Sequence, residues 1–412
     1  VRLLFAFAGG RGHLEPLVPI ARAATAAGHI VAFVARPWMA PQVEALGFPV
    51  FTAGSDAGPT QRLPLAPLDL ERDRQAVGDH FVRRIGRERA AAIVPLCRRW
   101  QPDLLVCEEF DFGAMVAAEA LALPHATMLI GATGSFVRAE IVTEPLNEVR
   151  AEHRLPPDPG LAMLSRQLVL SPFPRSLRDP AHPLPAGAHA IRLLASDPQS
   201  GVESGAERSS AARGGGGRAR GDEGRDVAAW LAARGAAPII YFTLGTIYNV
   251  ESGDLFGRVI AGLRDLPIDL VVTVGRDIDP RELGPQPANV RVERFVPQAE
   301  LLPRCRLVIS HGGSGGVVGA LAHGLPMVLL PLGADQPLNA ARCEALGVAV
   351  VLDALTVTSQ AVGEAVSRVL EGPGCRRSAA QVRDEIATLP GPEHAVAMIE
   401  RLTTRRHNDA TL

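Results

Sequence analysis

His311-Gly312-Gly313-Ser314-Gly315-Gly316 follows a short apolar run at residues 307–310 and leads into helical character at residues 317–323. A strand, a glycine turn and a helix start in that order leave backbone N–H groups unpaired at the positive end of a helix dipole. Together these make an anion site, and a diphosphate fits it. Further on, residues 331–339 (Pro-Leu-Gly-Ala-Asp-Gln-Pro-Leu-Asn) form a second polar loop. Asp335 and Gln336 in that loop are read as free to hydrogen-bond sugar hydroxyls.

A second constellation, Gly9-Gly10-Arg11-Gly12-His13-Leu14-Glu15-Pro16, ends the first apolar run and opens the first helical pattern. A histidine at the carboxyl edge of a parallel sheet faces the ligand. Its ordinary pKa of about 6.5 suits taking a proton from a hydroxyl. The plain alternative is a capping or merely exposed histidine. Such a base needs a carboxylate to hold its tautomer and stabilise the imidazolium. The apolar run at residues 104–107 leads into Glu108-Glu109-Phe110-Asp111, which could supply one. Those acids also suit a solvated loop, with Asp111 capping the helix that follows.

Two other chemistries compete with this reading. Gly10-x-Gly12 begins like a dinucleotide fingerprint, but Glu15 stands where the third glycine belongs. Arg36 follows the next strand where an NAD site wants an acid, although it tolerates the extra phosphate of NADP. Asp277-Ile278-Asp279 has the form of a metal-binding DxD, yet it sits after the strand at residues 270–274, away from the phosphate turn. It is read as a chance match, and the expectation is no metal.

The elements that must position these groups alternate. Strands are expected at residues 3–8, 30–35, 50–52, 104–107 and 125–130, with helices at 14–27, 41–46, 87–99 and 113–122. The second half repeats the design, with strands near 239–244, 270–274, 290–293, 307–310, 327–330 and 348–352. Alternation of this kind implies an α/β protein of two doubly wound Rossmann-like domains facing a central cleft, with ligands at the carboxyl ends of the strands. The expected division is 1–195, a flexible linker 196–225 rich in glycine and serine, 226–385, and 386–412 as a helix crossing back with a frayed tail.

Composition excludes several classes. A length of 412 residues with 47% hydrophobic content suits two globular domains. No apolar run approaches a membrane span. Formal net charge is −2, so nothing draws the chain toward nucleic acid or anionic lipid. Five cysteines without a CxxC pair read as free thiols of a reducing cytoplasm. No signal-peptide pattern precedes the first strand, which agrees with a cytoplasmic protein. All basic residues other than histidine are arginine.

The phosphate turn and the second polar loop together resemble the donor motif of family 1 glycosyltransferases of the GT-B fold, nearest the bacterial branch that decorates antibiotics. Gly12-His13-Leu14-Glu15-Pro16 is similar to that family's Gly-His-x-x-Pro signature, whose histidine is the catalytic base. The resemblance is nearly continuous over residues 291–352, clear at 2–34, and weak across 52–87 and 131–196. It implies an inverting, metal-independent transfer of a hexose or deoxyhexose from a nucleoside-diphosphate sugar to a hydroxyl of a lipophilic small molecule. No cofactor is implied beyond that co-substrate, and a homodimer is compatible with it.

Carried over residue by residue, the resemblance makes Glu108 the partner of His13, with Asp111 as competitor. Thr246 gives a hydroxyl to the diphosphate near His311, and Gly312, Gly313, Ser314, Gly315 and Gly316 cradle it. Phe295 and Val296 flank the nucleobase, and Arg276 and Gln298 approach the nucleoside. Gly316 stands where the family has threonine, so one hydroxyl contact to phosphate is absent. The acceptor belongs in the weakly matching stretches, with Phe110, Phe112, Met128 and Phe136 as lining or as core. A catalytically silent nucleotide-binding helper of the same fold is the alternative reading, and an NADP oxidoreductase the third.

Overall fold

The computed structural model describes residues 1–56, 61–193, 227 and 229–409, with side chains to residue 404 in the last helix. The chain divides into two compact units. One takes Val1–Gly58, Glu71–Ala206 and Thr388–Leu412; the other takes Pro59–Leu70 and Glu207–Ala387. Residues 196–225, expected to link the halves, lie outside the described residues.

In the first unit, β1 (Arg2–Ala6), β2 (Ile30–Ala35), β3 (Val50–Thr52), β4 (Leu104–Glu108), β5 (His125–Met128), β6 (Leu168–Ser171) and β7 (His189–Ala190) form one sheet. Its order is β3-β2-β1-β4-β5-β6-β7, and every pairing is parallel. Parallel strands are covered on both faces, so they read as continuous apolar runs. Leu3, Leu4, Phe5 and Ala6 are accordingly all fully buried. Phe5 stacks on Phe33 across β1 and β2 at 5.3 Å between ring centroids. Truncating either ring to alanine would cost about 3–5 kcal/mol.

The second unit repeats the plan with β8 (Ile239–Thr243), β9 (Asp269–Thr273), β10 (Val290–Glu293), β11 (Cys305–Ser310), β12 (Met327–Leu329) and β13 (Ala349–Val351). The order is β10-β9-β8-β11-β12-β13, again parallel throughout. In both sheets the strand order reverses beside the first strand, between β1 and β4 and between β8 and β11. The crevice outside the carboxyl ends at such a switch point is where doubly wound sheets bind ligands.

Several boundaries depart from the periodicity. The helix expected over residues 14–27 is split into Arg11–Leu14 and Val18–Ala26. Pro16 has no N–H with which to continue the first turn, and Pro19 suits the start of the second. β6 and β7 fall in a stretch with no legible alternation, and β7 is only two residues long. Residues Val77–Gly86 wind as a π-helix that runs directly into Arg87–Trp100. The final helix, Pro392–Asp409, buries Ala395, Val396 and Ile399 in the core of the first unit beside Leu17, Ile20 and Leu168.

All five cysteines are free, and burial pushes the thiols of Cys97, Cys305 and Cys343 up to about 12, which leaves them inert at neutral pH. No helix among the described residues is long and apolar enough to cross a membrane.

Candidate active site

His13 and Glu108 meet at the first switch point. His13 sits in the short turn after β1, and Glu108 is the last residue of β4. Nδ1 of His13 lies 3.0 Å from Oε1 of Glu108, whose side chain is completely buried. Glu108 is itself fixed by main chain: Oε1 accepts from the Ala8 N–H at 2.9 Å, and Oε2 from the Phe110 N–H at 2.7 Å. An anionic acceptor held by two amides on a rigid strand stands beside Nδ1 and favours a proton on that ring nitrogen. Gly9 completes the fit. A Cβ on that residue would stand 2.3 Å from Nε2 of His13, so the ring lies directly on the Gly9 backbone.

Around the imidazole stands an aromatic wall. Phe81, on the π-helix, stacks on His13 with centroids 6.0 Å apart and planes 13° from parallel. Phe110 meets His13 edge-on at 5.7 Å and Phe81 at 5.2 Å, and Phe136 continues the wall 6.3 Å beyond Phe110. Phe110 and Phe136 thus belong to the surroundings of His13. Phe112 stands behind the wall, edge-on to Phe110 at 6.5 Å and 1% exposed, and Met128, 0% exposed, packs in the core of the first unit. Phe81 was not among the expected residues: it lies on the π-helix Val77–Gly86, within residues 52–87, where the resemblance is weak.

Asp111 has another task. Its carboxylate is clasped by the fully buried Arg89 through Nε at 2.9 Å and Nη2 at 2.5 Å. It also caps the helix Phe112–Ala120 by accepting from the Ala114 N–H. Arg89 further donates to the carbonyls of Val34 and Ala53, tying the loop after β4 to the ends of β2 and β3. Asp111 is therefore a structural anchor, and the carboxylate beside His13 is Glu108.

The second unit builds its site at the other switch point. Helix Ser314–Ala322 starts from Gly313, and its first main-chain bond runs from the Val317 N–H to the Gly313 carbonyl at 3.0 Å. The amides from Gly313 to Gly316 precede that bond, and main-chain donors at a helix start are what an anion requires. Gly312 takes φ +84, the left-handed turn that brings the chain off β11. The His311 ring is wedged between glycines: a Cβ at Gly245 would stand 2.6 Å from it, and one at Gly313 2.7 Å. The loops after β8 and β11 therefore interlock through this imidazole. Burial lowers its pKa to about 4, so it is neutral at pH 7. Its Nδ1 is buried without a hydrogen-bond partner among the described residues.

Thr246 is exposed beyond β8, and Arg276 and Gln298 are exposed as well. Phe295 is half-buried, while Val296 turns its side chain inward at 3% exposure and can offer a ligand only its backbone. Asp335 and Gln336 are not the free side chains expected. Asp335 Oδ2 accepts from Ser314 Oγ at 2.7 Å and Asn339 Nδ2 at 2.8 Å. Asn339 also donates to the Gly312 carbonyl at 2.9 Å. Gln336 is buried, its Oε1 accepting from the Leu332 N–H. These side chains staple the second loop to the phosphate turn, a long-range contact that loop composition alone does not reveal.

The residues of the rival readings have contacts of their own. Asp279 caps the turn Pro280–Leu283 in a reciprocal box with Glu282. The Asp277 carbonyl accepts from Arg62. Arg36 is 8% exposed, and its Nε donates to the Ser55 carbonyl at 3.0 Å.

Two family models match the chain, both described as erythromycin biosynthesis protein CIII-like: the N-terminal domain over residues 74–182 and the C-terminal domain over residues 257–402. Tylactone mycaminosyltransferase of Streptomyces fradiae is 28% identical, with 99% of this chain and 94% of that protein covered. The 3-alpha-mycarosylerythronolide B desosaminyl transferase of Saccharopolyspora erythraea is also 28% identical, over 98% and 99%. Among solved structures, glycosyltransferase VinC in complex with dTDP superposes with a TM-score of 0.74 at 24% identity, covering 98% of this chain and all of that one. The spinosyn rhamnosyltransferase SpnG, solved with spinosyn aglycone, gives 0.76 at 23% identity over 97% and 100%.

Proposed function

The chain belongs to the EryCIII-like natural-product glycosyltransferases of family 1, and from that footing we propose an inverting, metal-independent transfer of a deoxyhexose from a thymidine-diphosphate sugar to a hydroxyl of a polyketide-type aglycone. The observation that carries the reading is the His13–Glu108 pair at a sheet switch point, ringed by Phe81, Phe110 and Phe136. The names of the relatives support the substrate classes: a tylactone mycaminosyltransferase, a 2-deoxy-L-fucose transferase and a TDP-daunosamine transferase are among them.

In the step proposed, Nε2 of His13 takes the acceptor hydroxyl proton while that oxygen attacks the anomeric carbon. The bond from that carbon to the diphosphate oxygen breaks, and the diphosphate leaves with the electron pair. Attack on the face opposite the leaving group inverts the anomeric centre. Glu108 steadies the imidazolium, and the sugar carbon passes through an oxocarbenium-like state. Donors already fixed along Gly313–Gly316, with Thr246 and His311, receive the departing charge in place of a cation. The aromatic wall excludes water and fits a lipophilic acceptor. We extend the proposal to a cytoplasmic homodimer, which light scattering of the purified protein tests.

The test combines a TDP-deoxyhexose with a macrolactone alcohol in excess EDTA. Product mass and anomeric configuration are then read by mass spectrometry and NMR. Formation of the inverted glycoside is expected. Retained configuration, or activity lost to EDTA and restored by Mg²⁺, would sink the mechanism.

A further inference from the structure

Outside the His13 pair, the same carboxyl edge of the first sheet carries two more buried charges. Glu109 follows β4 and is 6% exposed; Arg178 follows β6 and is 8% exposed. β5 lies between these strands, and its loop separates the two groups. Both touch Gly131 of that loop: Glu109 Oε2 accepts from the N–H groups of Ile130 and Gly131 at 3.0 Å, and Arg178 Nη1 donates to the Gly131 carbonyl at 3.4 Å. The guanidinium otherwise makes a long 3.3 Å contact from Nε to the His182 carbonyl. It forms no ion pair with a carboxylate among the described residues, although it lies close enough to Glu109 to feel its charge.

The arrangement is built for the arginine. Gly134 takes φ +73, which favours glycine, and a Cβ there would fall 1.8 Å from Arg178 Nη2, so the guanidinium lies directly on the Gly134 backbone. Burial raises the pKa of Glu109 and lowers that of Arg178. Two desolvated charges held apart destabilise the fold, a cost that contact or a bridging ligand would offset. Glu109 Oε1 and Arg178 Nη2 make no hydrogen bond among the described residues. The loop between them continues to Phe136, which is part of the aromatic wall around His13.

We infer that Glu109 and Arg178 are the polar recognition pair of the acceptor site, Arg178 donating to a carbonyl oxygen of the aglycone and Glu109 accepting from a neighbouring hydroxyl. The inference rests on the glycosyltransferase reading and narrows its acceptor to a hydroxy-ketone or hydroxy-lactone. An aromatic wall alone binds any lipophile, whereas a buried guanidinium left unpaired by a wrong ligand rejects it.

The test measures binding and transfer separately. A β-hydroxy-ketone macrolactone and its analogue with methylene in place of the ketone are titrated calorimetrically into the parent, Arg178→Gln and Glu109→Gln. Thymidine diphosphate affinity and the melting temperature report the fold of each variant. The parent should bind the ketone about tenfold more tightly or better, as a charged hydrogen bond allows. Arg178→Gln should close that gap by weakening only the ketone, and Glu109→Gln should weaken both acceptors in step, since both keep the hydroxyl. Equal affinity of the parent for the two acceptors overturns the pair. So does a gap that persists in a well-folded Arg178→Gln. A gap that closes as expected, with no transfer from a TDP-sugar, upholds the recognition pair and overturns the transferase reading instead.

Discussion

Oε1 of Glu108 lies 3.0 Å from Nδ1 of His13 and 2.9 Å from the Ala8 amide, so one oxygen ties the end of β4 both to the imidazole and to the end of β1. The surroundings of the imidazole are thereby set by two adjacent strands of the sheet. Its partner cannot drift without breaking main-chain contacts.

His13→Ala should abolish transfer, with a rate loss of about 10²–10⁴, and leave nucleotide affinity within a few-fold. Glu108→Gln should lower kcat with little change in KM for the donor. Asp111→Asn should act differently: breaking the buried pair with Arg89 should cost about 3–5 kcal/mol of stability. Urea unfolding and steady-state kinetics on the three variants separate the roles. A stable Asp111→Asn with the kinetics of Glu108→Gln would reverse the assignment.

Gly9→Ala tests the seat of the imidazole. A methyl group 2.3 Å from the ring must push His13 aside. We expect kcat to fall at least about tenfold, because misplacing a catalytic group by about 1 Å can cost that much or more. Thymidine-diphosphate binding should be unchanged. Near-parental kcat would show that the ring has another productive seat.

Gly316→Thr restores a hydroxyl to the phosphate turn. Gly316 lies within the helix Ser314–Ala322, not at positive φ, and a Cβ there would meet nothing within 4 Å. Threonine is also slightly better than glycine in a helix. A hydrogen bond to a charged group is worth about 1.5–3 kcal/mol at best and less where the phosphate is already well satisfied, so nucleoside-diphosphate binding should tighten by up to roughly tenfold. Calorimetry on a mutant that melts like the parent decides. Unchanged or weaker binding there would mean that the turn does not face the diphosphate.

The pH dependence follows from His311. Its pKa is lowered to about 4 by burial, against about 6.5 in an unfolded chain. Between those values the unfolded chain binds more protons, so stability falls as pH drops from 6.5 toward 4 and is fully present above 6.5. His311→Asn should flatten part of that acid slope, measured as the difference in unfolding free energy between pH 7 and pH 5. An unaltered slope would place the acid sensitivity elsewhere, as in the buried His125, whose pKa is also lowered.

The sequence by itself determined the two parallel-sheet halves, because strands covered on both faces must be continuous apolar runs. It also located the glycine turn between β11 and the helix that follows, and it marked His13 and the acids after β4 as candidates. Tertiary structure alone decided between Glu108 and Asp111. That choice depends on Arg89, which comes from a helix distant in sequence and takes Asp111 out of contention. It also turned Asp335 and Gln336 inward, through Ser314, Asn339 and Leu332, and sent Phe112 and Met128 to the core. Phe81 meets His13 from a π-helix in a stretch where the family resemblance is weak. Local pattern reports which groups a segment carries; which of them meet is settled by packing between segments far apart in the chain.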